Sequence, residues 1–198
     1  MAQPLIVNEQ IDIPTLYNFE GEPGWDDLIG PMAGGKTTTA NDPTWAVFRN
    51  GIYSYSFPQH AMTELWLVFH LNHGYAPGTK IYPHIHWATA GTDTGVVRWG
   101  IEYTIAKCYD QQAFPASSTI YLEHAASATP YMHQISETTE PNAIVATNLE
   151  PDSLILVRVF RDGTHANDTC TNAAFGLTCD LHFQRNGVST LNRNYPFS

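Results

Sequence analysis

The sequence predicts an all-β protein, an antiparallel β-sandwich of jelly-roll type with an extended N-terminal arm. Two observations carry this prediction. Apolar residues never recur at helical spacing over a segment of reasonable length, and short apolar or alternating runs take their place. Turn-forming pairs such as Asn50-Gly51 and Asp162-Gly163 separate those runs. A series of short strands joined by such turns indicates a sandwich, with a closed barrel as the alternative.

The predicted strands are short runs rich in β-branched, aromatic and aliphatic residues, each bounded by glycine, proline, asparagine or aspartate. They are Trp45–Phe48, Ile52–Phe57, Glu64–Leu71, Lys80–Trp87, Val96–Ala106, Thr119–Glu123, Met132–Ile135, Leu154–Phe160 and Phe175–Gln184. Together they assign residues 45–198 to a single β-sandwich domain.

Residues 1–44 have a different character and are predicted to form an extended, proline-rich arm. Pro4, Pro14, Pro23 and Pro31 disfavour helix and central-strand pairing in this segment. Its many apolar side chains nevertheless make a solvated tail unfavourable. We therefore expect the arm to lie in a groove, on its own domain or on a neighbouring subunit.

The chain carries unusually little charge for its size. Charged residues make up 14% of the 198 residues and the formal net charge is -10, with 19 acidic and 9 basic side chains. A nucleic-acid partner is not expected, because neutralising phosphates requires clustered Lys and Arg. Disorder is not expected either, because 24 aromatic side chains can bury a large core. The deficit of charge predicts that part of the surface is covered by a partner.

The sequence shows no signal peptide, no membrane-spanning segment and no clear disulfide pattern. The first residues lack the basic region and apolar run of a signal peptide, and the longest apolar runs, Leu65–Phe69 and Leu154–Val157, are too short to span a membrane. No membrane partner is expected. Cys170 and Cys179 could form a disulfide across a hairpin, but reduced, buried thiols are the preferred interpretation.

Residues 30–37 match the phosphate-binding expression G-x-x-x-x-G-K-[ST]. That loop binds phosphate when a buried strand precedes it and a helix follows, so that backbone amides and the helix dipole converge. Here no core-like strand precedes the motif, and the following segment ends at Pro43 after a poor helix-forming sequence. The sequence therefore predicts a glycine- and threonine-rich turn and no nucleotide site.

His84 and His86 form the one pattern that suggests a metal ion. Residues two apart on a strand face the same side, so the two imidazoles project together and could start a metal site. The spacing Gly-x5-His-x-His fits the first half of the cupin metal motif, but the glutamate that should follow is absent. Glu102 and His182 are the candidates for completing a ligand set if their strands lie beside His84. Packed, hydrogen-bonded imidazoles are the favoured interpretation, and no metal or other cofactor is predicted.

No arrangement in the sequence predicts an enzyme. A Gly-x-Ser-x-Gly nucleophile elbow is absent, and no cysteine lies in an activating context. The five Trp and ten Tyr side chains could stack on sugars, although aromatic residues on strands more often belong to the core or to a subunit interface.

One stretch resembles a recurrent segment of tailed-bacteriophage virion proteins. It reads His70-Leu-Asn-His-Gly-Tyr-Ala-Pro-Gly-Thr-Lys-Ile-Tyr-Pro-His-Ile-His-Trp87 and is followed by a Val-x-Trp…Glu-Tyr strand at Val97–Tyr103. Outlying pieces at Trp25–Leu28 and Cys179–Gln184 also resemble that family. The likeness is specific over some 35 residues and extends, with gaps, from about residue 25 to 193.

This resemblance implies a non-enzymatic structural protein of the virion, and its leading form is a capsid decoration (cement) protein of jelly-roll type. Such a protein would form a homodimer or homotrimer, bind the major capsid protein and stabilise the shell. It would lie on the capsid exterior after assembly in the host cytoplasm. The alternatives are a tail- or fibre-associated glycan-binding module and, less favoured, a cupin-like metal-binding enzyme.

Overall fold

The computed structural model describes residues 24–38, 40–145 and 149–185, and in these ranges the chain is an all-β sandwich. The predicted fold class is confirmed. The strands are β1 (Gly24–Pro31), β2 (Thr44–Arg49), β3 (Ile52–Phe57), β4 (Met62–His70), β5 (Ile81–Thr89), β6 (Val96–Ala106), β7 (Ser118–Ala125), β8 (Gln134–Glu137), β9 (Leu154–Asp162) and β10 (Ala174–Arg185). No helix in the described part of the chain is long and apolar enough to cross a membrane.

Two antiparallel sheets form the sandwich. The first has the strand order β2-β3-β10-β5-β8, with β1 also paired to β10, and the second has the order β4-β9-β6-β7. Between β3 and β10 the chain passes repeatedly from one sheet to the other, which is the connectivity of a jelly roll. Most neighbouring strands are consequently distant in sequence.

The core lies between the inner faces of the two sheets and is rich in aromatic rings. Trp87 of β5 and Trp99 of β6 are fully buried, and their ring centroids lie 6.3 Å apart. Phe57 packs edge-on against Trp99 at 5.0 Å. Strict alternation along β5 turns Ile85 and Trp87 into this core and His84 and His86 to the opposite face.

Strand β8 is displaced from its predicted position. It spans Gln134–Glu137 and not Met132–Ile135. The preceding residues form a turn in which the amide of Met132 donates to the carbonyl of Thr129, and Tyr131 has a left-handed φ of 60°. A residue in that conformation cannot continue an extended strand, so pairing with β5 begins later.

Strand β1 lies within residues 1–44, the predicted arm, and extends the first sheet. It pairs antiparallel with β10 from Gly24↔Arg185 to Pro31↔Thr178. Proline is compatible with this strand because Pro31 is its last residue and β1 pairs only with β10 among the described strands. The folded sandwich therefore begins by residue 24, and the rest of the arm, residues 1–23, lies outside the described residues.

The segment that matches the phosphate-binding expression begins with the last two residues of β1, a strand that was not predicted, and continues as the predicted turn. A short 3₁₀ turn, Met32–Gly34, follows β1, and Lys36 then makes a β-bridge with Trp66 of β4. The side chain of Met32 is buried in the core. No α-helix follows the motif in the described chain, so the helix dipole on which a phosphate loop depends is missing.

The three cysteines are free thiols. Cys170 and Cys179 are buried, and burial raises the pKa of both thiols, whereas Cys108 is exposed. The preference for reduced, buried thiols at Cys170 and Cys179 is confirmed.

Candidate functional site

The outer face of the first sheet gathers histidine and carboxylate side chains from several strands. Alternation directs His84 and His86 of β5 and Asp180 and His182 of β10 to this face, since their sequence neighbours point into the core. The register sets Asp180 opposite His84. On the flanking strands Asp27 lies opposite His182, and Glu137 lies opposite His84. We call these six residues, together with His133, the imidazole–carboxylate cluster.

His182 is held between two carboxylates. Its Nε2 lies 3.0 Å from Oδ1 of Asp27, and its Nδ1 lies 2.8 Å from Oε1 of Glu137. Its ring stacks on that of His84, with a centroid separation of 3.9 Å. Both ring nitrogens are thus engaged by neighbouring strands, and the residue bridges β1, β10 and β8.

His84, His86 and Asp180 converge beside this bridge. Oδ2 of Asp180 lies 3.4 Å from Nε2 of His86 and 3.9 Å from Nε2 of His84. The carboxylate is fixed from two other directions, because Oδ1 accepts the amide of Gly30 at 3.0 Å and Oδ2 accepts the hydroxyl of Thr178 at 2.9 Å. Three potential ligand atoms therefore meet at a buried point on the sheet.

Burial governs the protonation of the two β5 histidines. Desolvation lowers the pKa of His84, and the neighbouring imidazole of His182 lowers it further. Desolvation also lowers the pKa of His86, while the Asp180 carboxylate acts in the opposite direction. Both residues consequently favour the neutral imidazole, the form that can offer a lone pair to a metal ion.

Of the four candidate metal ligands named from sequence, the structure brings His84, His86 and His182 together and leaves Glu102 elsewhere. Glu102 lies on β6 in the second sheet, where Arg158 donates to it at 2.8 Å and Ser117 at 2.5 Å. Glu102 therefore cannot complete a site with His84.

Asp180 is the acid that the sequence reasoning missed. Asp180 and His182 are two residues apart, so the sequence alone indicated that their side chains share one face of the strand. The pairing of β10 with β5 was not visible locally, since the two strands are about a hundred residues apart in sequence. Asp27 lies in the predicted arm and Glu137 lies beyond the predicted strand Met132–Ile135, so neither was a candidate ligand.

An open cleft of about 460 Å³ lies next to the imidazole–carboxylate cluster. The indole of Trp25 is 59% exposed and stands edge-on to the ring of Tyr82, with centroids 5.5 Å apart. Glu137, Thr138 and His182 supply polar groups along its wall. The volume lies within the range of about 300–1,000 Å³ typical of small-ligand sites.

The rim of this cleft carries acidic groups, some of them paired with bases. The Tyr82 hydroxyl donates to Glu140 at 2.7 Å, and this hydrogen bond raises the pKa of Tyr82. Lys80 forms an ion pair with the same carboxylate.

A separate aromatic surface lies on the β2–β3 hairpin. Trp45 is 48% exposed, and its ring stacks on that of Tyr53 at 6.2 Å and meets Tyr55 edge-on at 4.9 Å. Val47, opposite Tyr53 in the register, is also exposed. We call Trp45, Val47, Tyr53 and Tyr55 the hairpin surface. An apolar, nearly uncharged patch of this kind is typical of an interaction site.

No protein-family model and no curated protein sequence matches the chain. The similarity to tailed-phage virion proteins therefore stays a sequence-based prediction.

Solved structures resemble the chain at the level of the fold. A CBM35 from Cellvibrio japonicus Abf62 matches with a TM-score of 0.40 and 9% identity, covering 81% of this chain and 99% of that one. TmCBM61, solved in complex with β-1,4-galactotriose, matches with a TM-score of 0.32 and 15% identity over 84% of this chain and 92% of that one. A chain of infectious bursal disease virus, Gt strain, has a TM-score of 0.41 and 11% identity, covering 84% of this chain and 33% of that one.

These likenesses are distant, and the jelly-roll β-sandwich is established by the strand connectivity of this chain itself. At such distances only the architecture is shared, and a function has to be argued from the residues of this chain.

Proposed function

We propose that this protein is a non-enzymatic glycan-binding module whose site is the cleft beside Trp25 and Tyr82. The observation that carries the proposal is the exposed indole of Trp25 standing over a cleft with polar walls. The exposed indole offers a flat apolar face, which suits stacking on the C–H face of a sugar ring. Glu137, whose side chain is half-exposed at the wall of the cleft, is placed to accept hydrogen bonds from sugar hydroxyl groups.

The charges around the cleft select the kind of sugar. Glu140 is paired with Lys80, whereas Asp27 and Glu137 share the single imidazole of His182. The cleft therefore has surplus negative charge and would repel uronic and sialic acids. We propose neutral or amino sugars as the ligands, which fits a tail- or fibre-associated module that recognises a host glycan.

The expected result of Trp25→Ala is at least a tenfold loss of affinity for such glycans, or about 1.4 kcal/mol, because the stacking surface disappears. An array of neutral, amino and acidic glycans would identify the ligand, and isothermal titration calorimetry would measure its affinity. Trp45→Ala is the matched control, because it removes an exposed indole of the same sheet outside the cleft and should leave affinity unchanged. An array without neutral or amino-sugar binding would overturn the proposal, as would equal affinity in Trp25→Ala and wild type.

The hairpin surface supports a second candidate function, that of a virion structural protein. A capsid decoration protein would cover Trp45, Val47 and Tyr53 in contacts with a second copy or with the major capsid protein. Apolar, aromatic side chains without charge are what the centres of such interfaces contain. Binding across subunit boundaries would stabilise the assembled shell by mass action. In this role residues 1–23 would contact the capsid or a neighbouring subunit, and the sandwich from residue 24 onward would be the body of the protein.

Self-association through the hairpin surface is expected to disappear in a Trp45→Asp, Tyr53→Asp double variant, because two charges would be buried in the interface. Sedimentation velocity would show a dimer or trimer for wild type and a monomer for the variant. Val68→Asp is the control, since Val68 is exposed on the second sheet. A wild-type chain that stays monomeric at about 100 μM would exclude any stable self-interface at this surface.

A further inference from the structure

We infer that His84, His86 and Asp180 form a binding site for one divalent transition-metal ion on the outer face of the first sheet. The site is separate from the proposed glycan cleft, although His182 touches both. Two imidazoles and one carboxylate make up a donor set that first-row divalent metals favour. The three ligand atoms all lie within 4.8 Å of one another.

The spacing of the three atoms fits a shared ion better than it fits hydrogen bonding. Asp180 Oδ2 is 3.4 Å from His86 Nε2 and 3.9 Å from His84 Nε2. These separations exceed the ordinary N–H···O range of about 2.7–3.2 Å. A tetrahedral ion with bonds of about 2.0–2.1 Å sets its ligands roughly 3.3 Å apart, so small side-chain shifts would complete the geometry.

Hydrogen bonds from neighbouring groups fix the orientation of the proposed ligands His86 and Asp180. His86 Nδ1 lies 2.7 Å from Nε2 of His133. In the tautomer in which Nδ1 of His86 donates to His133, the Nε2 lone pair of His86 faces Asp180. Gly30 and Thr178 hold the carboxylate as described above. Such outer contacts fix the tautomer and direction of metal ligands in proteins.

The side chains of the site differ in exposure, and this difference accounts for both the preference for an ion and its route of entry. The side chain of His84 is 1% exposed and that of Asp180 is 9% exposed, whereas that of His86 is 21% exposed and opens toward solvent. The carboxylate is therefore partly desolvated and lacks a cationic Lys or Arg partner among the described ion pairs. A divalent cation would neutralise it, and solvent would complete the coordination on the open side. Asp27, His84 and His182 also have ligand atoms within 4.8 Å of one another. That group is less suited to an ion, because His182 Nε2 and Asp27 Oδ1 lie 3.0 Å apart, at hydrogen-bonding distance.

The test uses the full-length chain without an affinity tag, stripped with chelator and titrated with Zn²⁺ by calorimetry and with Co²⁺ by visible absorption. One ion per chain is expected. Asp180→Asn and His86→Asn should each weaken binding at least tenfold, because each removes a ligand. His133→Ala should weaken it by about 10–100-fold through the loss of orientation. His165→Gln, an exposed histidine outside the cluster, is the control and should bind like wild type.

Circular dichroism would establish that each variant is folded. If Asp180→Asn does not fold, the Zn²⁺ affinity of His86→Asn decides whether the site exists. Binding of less than about 0.2 ions per chain would overturn the site, as would equal Zn²⁺ affinity in His86→Asn and His165→Gln. Trp25→Ala should keep full metal binding, so failure of the glycan proposal and failure of the metal site would be distinguishable.

Discussion

Replacing Arg161 with Met is expected to lower the free energy of unfolding by about 3–5 kcal/mol, the largest effect anticipated for a single substitution in this chain. Arg161 has no exposed surface, and its Nε and Nη2 bind both oxygens of Asp168 at 2.9 and 2.7 Å. The guanidinium also donates to backbone carbonyls of Phe57, Cys170 and Asn172. Methionine would leave the buried Asp168 carboxylate without its counter-charge and those carbonyls without their donor.

Urea unfolding followed by tryptophan fluorescence would measure the change from the midpoint. Arg185→Met is the control, because its ion pair with Asp26 is largely exposed and should contribute no more than about 1 kcal/mol. Adding Asp168→Leu to Arg161→Met should recover part of the loss, since the unpaired charge is then removed as well. A loss below about 1 kcal/mol in Arg161→Met would show that the buried pair does not hold these segments together.

Gly30→Ala is expected to destabilise the protein by about 1–3 kcal/mol through overpacking. A Cβ on Gly30 would lie 2.4 Å from the carbonyl oxygen of Cys179 and 2.5 Å from the ring of Phe69. The carbonyl belongs to the paired strand β10 and cannot move away without separating β1 from it. The amide of Gly30 also donates to Asp180, so the same change should weaken Zn²⁺ binding at the proposed site.

Gly24→Ala provides the matched control for Gly30→Ala. Gly24 lies on the same strand, and a Cβ there would meet no atom within 4 Å. Its effect should stay within about 0.5 kcal/mol. Thermal or urea unfolding of the two variants side by side would measure the difference, and equal stabilities would show that β1 is not closely packed on β10. A lower stability of Gly30→Ala would also show that Gly30, the first glycine of the phosphate-loop expression, is required for packing.

Local patterns in the sequence were sufficient to predict much of the fold. Ile52–Phe57 and Val96–Ala106 are strands with the predicted bounds, because alternation and flanking turn residues are properties of a few neighbouring positions. The free state of Cys170 and Cys179 was predicted on a different ground, the preference for reduced, buried thiols where no secretion signal is seen. Strand β1 was missed because its composition, with glycine at Gly24 and Gly30 and a terminal Pro31, resembles that of a loop.

The sequence by itself determined the fold class and the direction of each imidazole, since a strand with period two must turn His84 and His86 to one face. Only the tertiary structure decided which acid meets them. Asp180 rather than Glu102 stands opposite His84, because β10 and not β6 pairs with β5. Pairing between strands so far apart in sequence depends on how the two sheets pack around the core. It therefore cannot be predicted from any short stretch of residues.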